Sequence, residues 1–400
     1  MANTIFKVFT TVGLGSLAAL IPLEVSAAVL SPSKLYVFGD SLSDTGNVFN
    51  ATVAANGIPA LLGFDAPPVS PPPPYFEGRN SNGPVWVDQL ADSFDLSLTN
   101  STELSILFPG IEIDSPLTLT FDGPAVSPYF DGSLADNSVN FSFGGAQTGL
   151  RGSTEFGELI PGLLTQVGWF ETDLGRADAV ADSDALYIVW GGANDYWGAD
   201  PNADPSSLAT GAVGNLQTAV ERLYATGARR FLLPNLPDLG QTPRGLISMS
   251  ESQRLSGLTL SHNSLLETAV DSLSLLPGSQ VLDLDVFSLF EQAIDQPQSF
   301  GLTNVTDSCL ATPTCLNSSL VQETFLFWDD RHPTTAAHRE LATAALALGD
   351  MTTPLVPPTP VPAVTPASVS SPAGMTVPEP ATGLGLLGLL TLWGIVRRGH

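Results

Sequence analysis

One run near the amino terminus, Leu35-Tyr-Val-Phe-Gly-Asp-Ser-Leu-Ser-Asp44, sets the architecture of the chain. The apolar residues 35–38 predict a strand, and Gly39, Asp40 and Ser41 predict a tight turn at its end. In sheet proteins such a turn lies at the carboxyl end of a strand, where helix N-termini and backbone N–H groups surround a crevice. The Ser-x-x-Asp spacing that follows is typical of a helix start. Ser41 is therefore a candidate nucleophile, although a Gly-Asp-Ser turn by itself is common and indicates only a turn.

Further along the chain, apolar runs of strand length alternate with helical patterns. The strands are predicted at residues 139–143, 185–190, 229–233 and 280–284. The helices are predicted at residues 84–94, 160–174, 206–225, 250–273, 286–294 and 334–348. This alternation indicates a parallel sheet with helices on both faces, so the predicted class is α/β with three layers, α/β/α.

The region before residue 139 departs from this alternation. Residues 50–76 are irregular and end in a proline run at residues 71–74, which excludes a central strand or a helix interior. We expect a surface excursion there, lying over the active site. Residues 102–121 contain strand-like patches broken by Pro and Gly, which predict a hairpin insertion. We expect residues 50–129 to determine substrate specificity.

Composition narrows the classes of partner. The 400 residues carry a formal net charge of -26 with only 14 Lys and Arg, which disfavours binding to the phosphate backbone of a nucleic acid. An anionic membrane surface would repel the chain as well. We therefore expect a neutral or zwitterionic substrate.

The amino terminus has the three parts of an export signal. Lys7 provides the positive flank, residues 8–21 are mostly apolar, and Val25-Ser-Ala-Ala28 offers small residues for cleavage. We predict a signal peptide at residues 1–28 and a catalytic domain at residues 31–350. A retained membrane anchor is the alternative, and the shortness of the apolar run disfavours it.

The two cysteines, Cys309 and Cys315, are close together in the sequence. In an exported protein they are candidates for a disulfide that closes this small loop. A zinc site is disfavoured because two cysteines do not complete a zinc shell and no histidine lies at ligand spacing. A reduced, inert pair is the alternative.

The carboxyl terminus predicts a second targeting signal. Residues 351–376 are rich in Pro, Thr, Val and Ser without helix or strand periodicity, which predicts an extended linker. Val377-Pro-Glu-Pro380, an apolar run at residues 381–396 and Arg397-Arg398 follow. This order resembles the PEP-CTERM sorting tail of Gram-negative bacteria. The resemblance implies a transient transmembrane anchor at residues 377–400, its removal by an exosortase-type protease, and a product at the cell surface or outside the cell. A plain C-terminal anchor is the alternative.

Three further loops lie where a parallel sheet places its active site. The first is Asn140-Phe-Ser-Phe-Gly-Gly-Ala146, whose glycines let backbone N–H groups approach a ligand. The second is Gly192-Ala-Asn-Asp195, whose asparagine can donate a hydrogen bond into the crevice. The third is Asp329-Asp-Arg-His-Pro333, where the proline keeps His332 out of a helix and Asp329 can fold back onto the imidazole ring.

These residue types are the parts that acyl transfer needs. A serine hydroxyl becomes a nucleophile when a histidine takes its proton, and a carboxylate fixes the histidine tautomer. Ser41, His332 and Asp329 supply this set. The N–H groups of Ser41 and Gly144 and the side chain of Asn194 supply oxyanion donors, each worth ~3–4 kcal/mol.

The four histidines of the chain narrow the choice of base. His400 lies in the predicted tail. His262 and His338 lie in predicted helices, where a packed or solvated role is more common. His332 lies in a loop beside a carboxylate, so we predict that it is the general base.

Together the four loops resemble the GDSL esterases and lipases, also called SGNH hydrolases. The four blocks of that family occur in this chain in order, as Phe38-Gly-Asp-Ser-Leu-Ser43, Phe143-Gly-Gly145, Gly192-Ala-Asn-Asp195 and Asp329-Asp-Arg-His332. The serine, glycine, asparagine and histidine of the family name match Ser41, Gly144, Asn194 and His332. Further phrases resemble its secreted phospholipase/lecithinase-like branch, namely Asp44-Thr-Gly-Asn47, Ser81-Asn-Gly-Pro-Val-Trp86 and Phe327-Trp-Asp-Asp-Arg-His-Pro-Thr334.

The resemblance covers about residues 33–350. It implies a flavodoxin-like three-layer α/β/α fold and ester hydrolysis through an acyl-enzyme, without a metal or another cofactor. It leaves open whether Gly144 or Gly145 donates to the oxyanion, and whether Asp330 takes the place of Asp329. The chain has no Gly-x-Ser-x-Gly elbow, which argues against the α/β-hydrolase fold.

We therefore predict an exported serine esterase or lipase that acts on a lipid or another acyl ester. One alternative is a polysaccharide O-acetyl esterase, because the same machinery serves sugar acetates. Another is a catalytically silent envelope or matrix protein that binds glycan or lipid, although such a protein needs none of the predicted site residues. Four aromatic residues are candidates for the pocket wall, namely Trp86, Trp190, Tyr196 and Trp197. We expect Trp190 to pack in the core, because it lies within a predicted strand.

Overall fold

The structure is a computed structural model, and it describes residues 31–53, 68–104, 137–152, 160–200 and 203–349. Six strands form the central sheet: β1 (Leu35–Gly39), β2 (Leu98–Asn100), β3 (Ser138–Asn140), β4 (Leu186–Trp190), β5 (Arg230–Pro234) and β6 (Gln280–Leu284). Their order across the sheet is β2-β3-β1-β4-β5-β6, and every neighbouring pair is parallel. The predicted parallel sheet is therefore confirmed.

Strand β1 shows why its sequence is a continuous apolar run. Its side chains alternate between the two faces of the sheet, with Tyr36 and Phe38 in one hydrophobic core and Leu35 and Val37 in the other. All four are almost completely buried. A strand covered on both faces has no solvent side, so it shows no polar alternation.

Helices cover both faces of the sheet. The described helices are α1 (residues 47–53), α2 (Trp86–Ser93), α3 (Ser101–Leu104), α4 (Leu163–Ala177), α5 (Ala193–Trp197), α6 (Pro205–Thr226), α7 (Met249–Leu273), α8 (Val286–Asp295), α9 (Pro313–Leu316), α10 (Ser319–Gln322) and α11 (Thr335–Gly349). One core contains apolar residues of α4, α6 and α7, and the other contains those of α2, α8 and α11. The predicted three-layer α/β/α arrangement is confirmed.

Some elements differ from the sequence prediction. Strand β2 was not predicted, nor was a small second sheet made of β7 (Asn304–Ser308) and β8 (Phe325–Phe327). The predicted hairpin at residues 102–121 is wrong at its start, because residues 102–104 belong to α3, and its remainder lies outside the described residues.

The predicted helix start at Ser41 is also wrong, because α1 begins at residue 47. Asp44 explains the shift. Its carboxylate accepts hydrogen bonds from the N–H groups of Gly46, Asn47 and Val48, at 2.8, 2.6 and 3.2 Å, so it satisfies donors of the first helical turn. Residues 41–43 remain a turn, which leaves the Ser41 side chain outside any helix.

Beyond β6, a disulfide joins Cys309 to Cys315. The described residues all belong to one compact unit, Met1–Pro358. The predicted signal peptide, linker and sorting tail lie outside the described residues. Within the ranges that the structure describes, no helix is both long and apolar enough to cross a membrane.

Candidate active site

Ser41 lies at the point where the strand order of the sheet reverses. Strand β1 has β3 on one side and β4 on the other, and the chain leaves β1 in the direction of a crevice between them. In open parallel sheets, ligands bind outside the carboxyl ends of the strands at such a point. The topology alone therefore marks the position of Ser41 as a site.

Gly39 brings this turn close to the neighbouring strand. A Cβ atom on Gly39 would lie 2.6 Å from the carbonyl oxygen of Trp190, so a larger residue would force β1 and β4 apart. The side chain of Gln166 holds the backbone of Gly39 in place. It accepts a hydrogen bond from the Gly39 N–H and donates one to the Gly39 carbonyl, each at 2.9 Å.

Asp40 closes the turn that carries the serine. Its carbonyl oxygen accepts from the N–H groups of Ser43 and Asp44, and its Oδ1 accepts from the N–H of Leu42 at 3.0 Å. Burial raises the pKa of Asp40 to about 6. The N–H of Ser41 itself has no partner among the described residues, so it is available to a ligand.

The structure brings Ser41, His332 and Asp329 into one hydrogen-bonded chain. His332 Nε2 lies 2.8 Å from Ser41 Oγ, and His332 Nδ1 lies 2.6 Å from Asp329 Oδ2. Asp329 Oδ1 accepts the N–H groups of Arg331 and His332 at 2.9 and 2.7 Å, so the carboxylate folds back within its own loop. Ser41 is 291 positions from His332 in sequence, yet the two side chains are in direct contact.

Asp329 is ionised in this setting. Burial by itself would raise its pKa, but His332 and the backbone N–H groups of the loop outweigh burial and hold the pKa well below its usual range. The neighbouring Asp330 is different, since half of its side chain is exposed and it pairs with Arg331 Nε at 3.0 Å. The geometry therefore favours Asp329 over Asp330 as the partner of His332.

Tyr75 is a site residue that no motif in the sequence indicated. Its hydroxyl donates a 2.7 Å hydrogen bond to Asp329 Oδ2, the oxygen that also holds His332. Its ring packs edge-on against Trp328. Burial, followed by the charge of Asp329, raises the pKa of Tyr75, so the phenol stays protonated and remains a donor.

The segment after Tyr75 is fixed to the same loop. Ser81 Oγ donates to the carbonyl oxygen of Pro333 at 2.9 Å, and the N–H of Thr335 donates to Asn82 Oδ1 at 2.8 Å. Ser81 and Asn82 belong to one of the phrases that resemble the phospholipase-like branch. The sequence did not predict a contact between this phrase and the loop of His332.

The predicted oxyanion donors Gly144 and Asn194 line one cavity together with Ser41, but one of their N–H groups is already engaged. The N–H of Gly144 donates to Asp44 Oδ2 at 2.8 Å, so it is already engaged. The N–H of Gly145, the alternative from the sequence, has no partner among the described residues. Asn194 Nδ2 donates to the carbonyl oxygen of Ala146 at 2.9 Å, and its other contact, with Asp40 Oδ2, is long at 3.4 Å.

The other described histidines are packed inside helices. His262 in α7 and His338 in α11 are almost completely buried, and burial lowers the pKa of each to about 3. His262 Nδ1 is hydrogen-bonded to the Tyr196 hydroxyl at 2.8 Å. Gly192, at φ 126°, leaves room for this ring, because a Cβ there would lie 2.6 Å from it.

The four aromatic candidates divide between core and cavity. Trp86 and Tyr196 are completely buried, and Trp86 Nε1 donates to Ser43 Oγ at 3.1 Å. Trp190 packs edge-on against Trp86, as expected for a core residue, and it also borders a cavity. Trp197 borders the same cavity.

Two cavities meet at Ser41. The first, which we call the apolar cavity, has a largely aliphatic and aromatic wall that includes Leu289, Phe290, Ala293, Leu302, Leu326 and Ala336. The second, which we call the polar cavity, has a wall that includes Ser70, Pro71, Tyr75, Asn80, Gly144 and Gly145. Four residues border both, namely Ser41, Asn194, Arg331 and His332.

The described residues contain no group of three or more His, Cys, Asp or Glu side chains that could hold a metal ion. The two cysteines are joined to each other. The arrangement around Ser41 has four parts. It contains a hydroxyl, a base in contact with it, an ionised carboxylate behind the base, and N–H donors nearby.

Comparison with known proteins gives a consistent result. The family model described as GDSL-like Lipase/Acylhydrolase matches residues 35–345. The phosphatidylcholine-sterol acyltransferase of Aeromonas hydrophila is 26% identical over 379 residues, covering 82% of this chain and 94% of that protein. An acetylesterase of Thermothelomyces thermophilus is 26% identical, covering 84% of this chain and 96% of that protein.

Solved structures give a looser likeness. A member of the lipolytic protein G-D-S-L family from Veillonella parvula superposes with a TM-score of 0.37 at 15% identity. The match covers 78% of this chain and 96% of that chain.

Proposed function

Because this chain belongs to the GDSL-like lipase/acylhydrolase family and is an ester-bond hydrolase, we propose that Ser41, His332 and Asp329 carry out its chemistry through an acyl-enzyme. One observation carries the proposal: the continuous chain of hydrogen bonds from Ser41 Oγ through both ring nitrogens of His332 to Asp329. The Ser-His-Asp form of nucleophilic catalysis uses this order of hydroxyl, base and carboxylate.

In the first half of the reaction, Ser41 Oγ attacks the ester carbonyl carbon while His332 Nε2 takes the hydroxyl proton. The imidazolium that forms lies against the ionised Asp329, which stabilises its charge and fixes Nδ1–H toward the carboxylate. His332 then passes the proton to the alkoxy oxygen of the substrate. The carbon–oxygen bond breaks, the alcohol leaves, and the acyl group remains on Ser41.

The second half repeats these steps with water. A water molecule occupies the place of the alcohol, His332 takes its proton, and the hydroxide attacks the acyl carbon. The tetrahedral intermediate collapses, Ser41 recovers its proton from His332, and the carboxylic acid leaves. No cofactor is needed for the balance of atoms or charge.

The negative oxygen of each tetrahedral intermediate needs donors that are in place beforehand. We assign the N–H groups of Ser41 and Gly145 and the amide of Asn194 to this role. Gly144, the donor predicted first, supports the site differently, because its N–H holds Asp44. That bond ties the loop after β3 to the turn that carries Ser41.

Hydrolysis of p-nitrophenyl butyrate by three purified proteins tests the proposal. The wild type should turn over, and Ser41→Ala should lose about 10,000-fold or more in kcat. Ser43→Ala is the matched control, because this serine lies in the same turn but its Oγ accepts from Trp86. A Ser41→Ala protein that keeps activity within about tenfold of wild type would contradict the assignment.

The substrate is proposed to be a neutral or zwitterionic lipid ester. The net charge of -26 disfavours an anionic lipid surface, and the sequence phrases of the phospholipase/lecithinase-like branch agree with a lipid. The second candidate is a sugar acetate, which the similarity to an acetylesterase favours. Rates with phosphatidylcholine and with acetylated xylan separate the two.

We also propose that the chain is exported and then processed at both ends. The export signal at residues 1–28, the linker at residues 351–376 and the sorting tail at residues 377–400 support this order. The Cys309–Cys315 disulfide agrees with an oxidising compartment. Intact-mass measurement of the protein recovered outside the cell should show both ends removed, and a mass equal to the full chain would contradict the proposal.

A further inference from the structure

The two cavities that meet at Ser41 differ in chemistry, so they can distinguish the two halves of an ester. We propose that the apolar cavity binds the acyl chain of the substrate and the polar cavity receives its alcohol, so that the enzyme prefers esters of medium or long acyl chains. This inference rests on the proposed function, because it places both halves of an ester around Ser41.

The wall of the apolar cavity is suited to a hydrocarbon chain. Leu289 and Phe290 of α8 are only half-buried, and both border the cavity. A bound acyl chain would bury this apolar surface, and the apolar surface of the acyl chain would be buried with it. Each buried methylene group raises the binding constant by roughly fourfold.

Apolar side chains form the larger part of the wall of this cavity, but polar and charged side chains also border it, namely Asp40, Asn194, Thr242, Arg331, His338 and Glu340. His338 borders it and is almost completely buried, and burial lowers its pKa to about 3, so the ring is uncharged at neutral pH. Burial of a neutral ring against an acyl chain avoids the large desolvation cost of a charge. Ser41 and His332 lie at the edge shared with the polar cavity.

The need for water decides which half of the ester lies where. After the alcohol leaves, water must reach His332 from the side that the alcohol occupied, while the acyl chain stays in place on Ser41. The polar cavity offers water hydrogen-bonding partners in Tyr75, Asn80 and the backbone of Gly145. A chain in the apolar cavity would keep water out of that side. The acyl group is therefore assigned to the apolar cavity.

Ala293 is the residue expected to limit chain length. It lies in α8, is 5% exposed and borders the cavity among larger apolar side chains. A leucine there would project into the space that we assign to the chain. Leu289→Gln tests the same wall by changing the polarity of a side chain instead of its size. Leu289 is half-buried, so it tolerates a polar residue more easily than a fully buried position does.

Two substrate series separate acyl binding from alcohol binding. The first consists of methyl esters from acetate to decanoate, and the second consists of acetates of alcohols from methanol to decanol, all below the concentration at which they aggregate. For the wild type, kcat/KM should rise roughly twofold to fourfold per methylene in the first series and then level off, and it should stay nearly flat in the second. Within its own series of methyl esters, Ala293→Leu should level off at shorter chains than the wild type does.

The matched control for Leu289→Gln is Leu320→Gln, at a leucine that is 82% exposed and does not border the cavity. Leu289→Gln should reduce the slope of the methyl ester series, and Leu320→Gln should leave it as in wild type. The inference is overturned if methyl acetate is hydrolysed but its series is flat, or if only the alkyl acetate series rises. If no ester is hydrolysed and a fluorophosphonate does not label Ser41, the proposed function itself has failed, and this inference fails with it.

Discussion

The polar cavity and the apolar cavity share Ser41 and His332, but they are built from different parts of the fold. The polar cavity is lined by loops, with Tyr75 from the proline-rich segment, Gly145 from the turn after β3, and Asp329 from the loop before α11. Regular elements provide much of the wall of the apolar cavity, chiefly α8 and α11.

The difference shows that loops carry the catalytic groups of this chain and that helices carry the surface that selects the substrate. Loops present backbone N–H groups and bring side chains together from distant parts of the sequence, which a reacting centre needs. Helices present rows of aliphatic side chains, which suit the binding of a hydrocarbon. Changes on the polar side should therefore affect esters of short and long acyl chains equally. Changes on the apolar side should affect the stability of the protein and its preference for acyl-chain length.

The largest effect on kcat should come from replacing Asp329, one of the two carboxylates before His332. Asp329→Asn should lower kcat by about 1,000-fold for short and long esters alike, because it removes the charge that stabilises the imidazolium. Asp330→Asn, at a half-exposed position, should change kcat by less than about twofold. Steady-state kinetics on methyl acetate and methyl octanoate measure both, and equal losses in the two variants would contradict the assignment of Asp329 as the partner of His332.

On the apolar side, Leu302→Ala should act mainly on stability. Leu302 is 4% exposed in a cluster with Phe327 and Ala293, so its truncation should lower the free energy of unfolding by about 2–4 kcal/mol. The kcat for methyl acetate, measured on folded protein, should stay near that of wild type. Urea denaturation gives the first quantity, and a large loss of kcat with unchanged stability would show that the two sides are not separate.

Tyr75→Phe should have a smaller and purely catalytic effect. Losing the hydrogen bond to Asp329 leaves that carboxylate less firmly held, so kcat should fall about tenfold, equivalent to ~1.4 kcal/mol, with KM unchanged. The loss should be equal for acetate and octanoate. If KM rises instead and does so more for the longer ester, Tyr75 contacts the substrate and the separation between the two cavities is wrong.

The smallest effect concerns the carboxylate of Asp195 in α5, which accepts hydrogen bonds from the N–H and the hydroxyl of Thr148. Burial raises the pKa of Asp195 in the folded protein to about 6, from an ordinary value of 3.8. Protonation of Asp195 therefore stabilises the folded state. This contribution is complete below about pH 3.8 and is lost as the pH rises through 6. His262 and His338 have the opposite effect on stability, because their pKa values in the folded protein are lowered to about 3. Below about pH 6.5 these histidines take up protons in the unfolded chain, which stabilises the unfolded state.

Comparison of Asp195→Asn with wild type isolates the carboxylate, because the other groups contribute to both proteins. Between about pH 4 and 6, the slope of unfolding free energy against pH should differ by ~1 kcal/mol per pH unit. Wild type should gain more stability than the variant as the pH falls. Chemical denaturation at several pH values gives both slopes, and parallel curves would show that Asp195 is already ionised at the acidic end of this range.

Much of this fold could be predicted from the sequence for physical reasons. Strands β1, β4 and β5 are buried on both faces, so each forms a short apolar run that a sequence pattern reveals. Strand β7, Asn-Val-Thr-Asp-Ser, is mostly polar and has no buried residue, and β2 has only three residues, so neither leaves such a pattern. The start of α1 was missed because Asp44, rather than Ser41, satisfies its first N–H groups.

The candidate site shows the same limit. Ser41, Asn194 and His332 each lie in a short phrase whose residue types suggest their chemistry. Tyr75 does not, because it is 254 residues from Asp329 in sequence and follows a run of prolines that indicates only an irregular segment. Contacts of this kind depend on how the chain is folded in space, and no local pattern encodes them.

The most direct measurement of the central claim is the position of a fluorophosphonate adduct, located by mass spectrometry of peptides from the labelled, folded protein. We predict one adduct, on Ser41, and none after Ser41→Ala or after unfolding before exposure to the probe. No adduct in the folded wild type, or an adduct on another serine that persists in Ser41→Ala, would contradict the claim that Ser41 is the nucleophile.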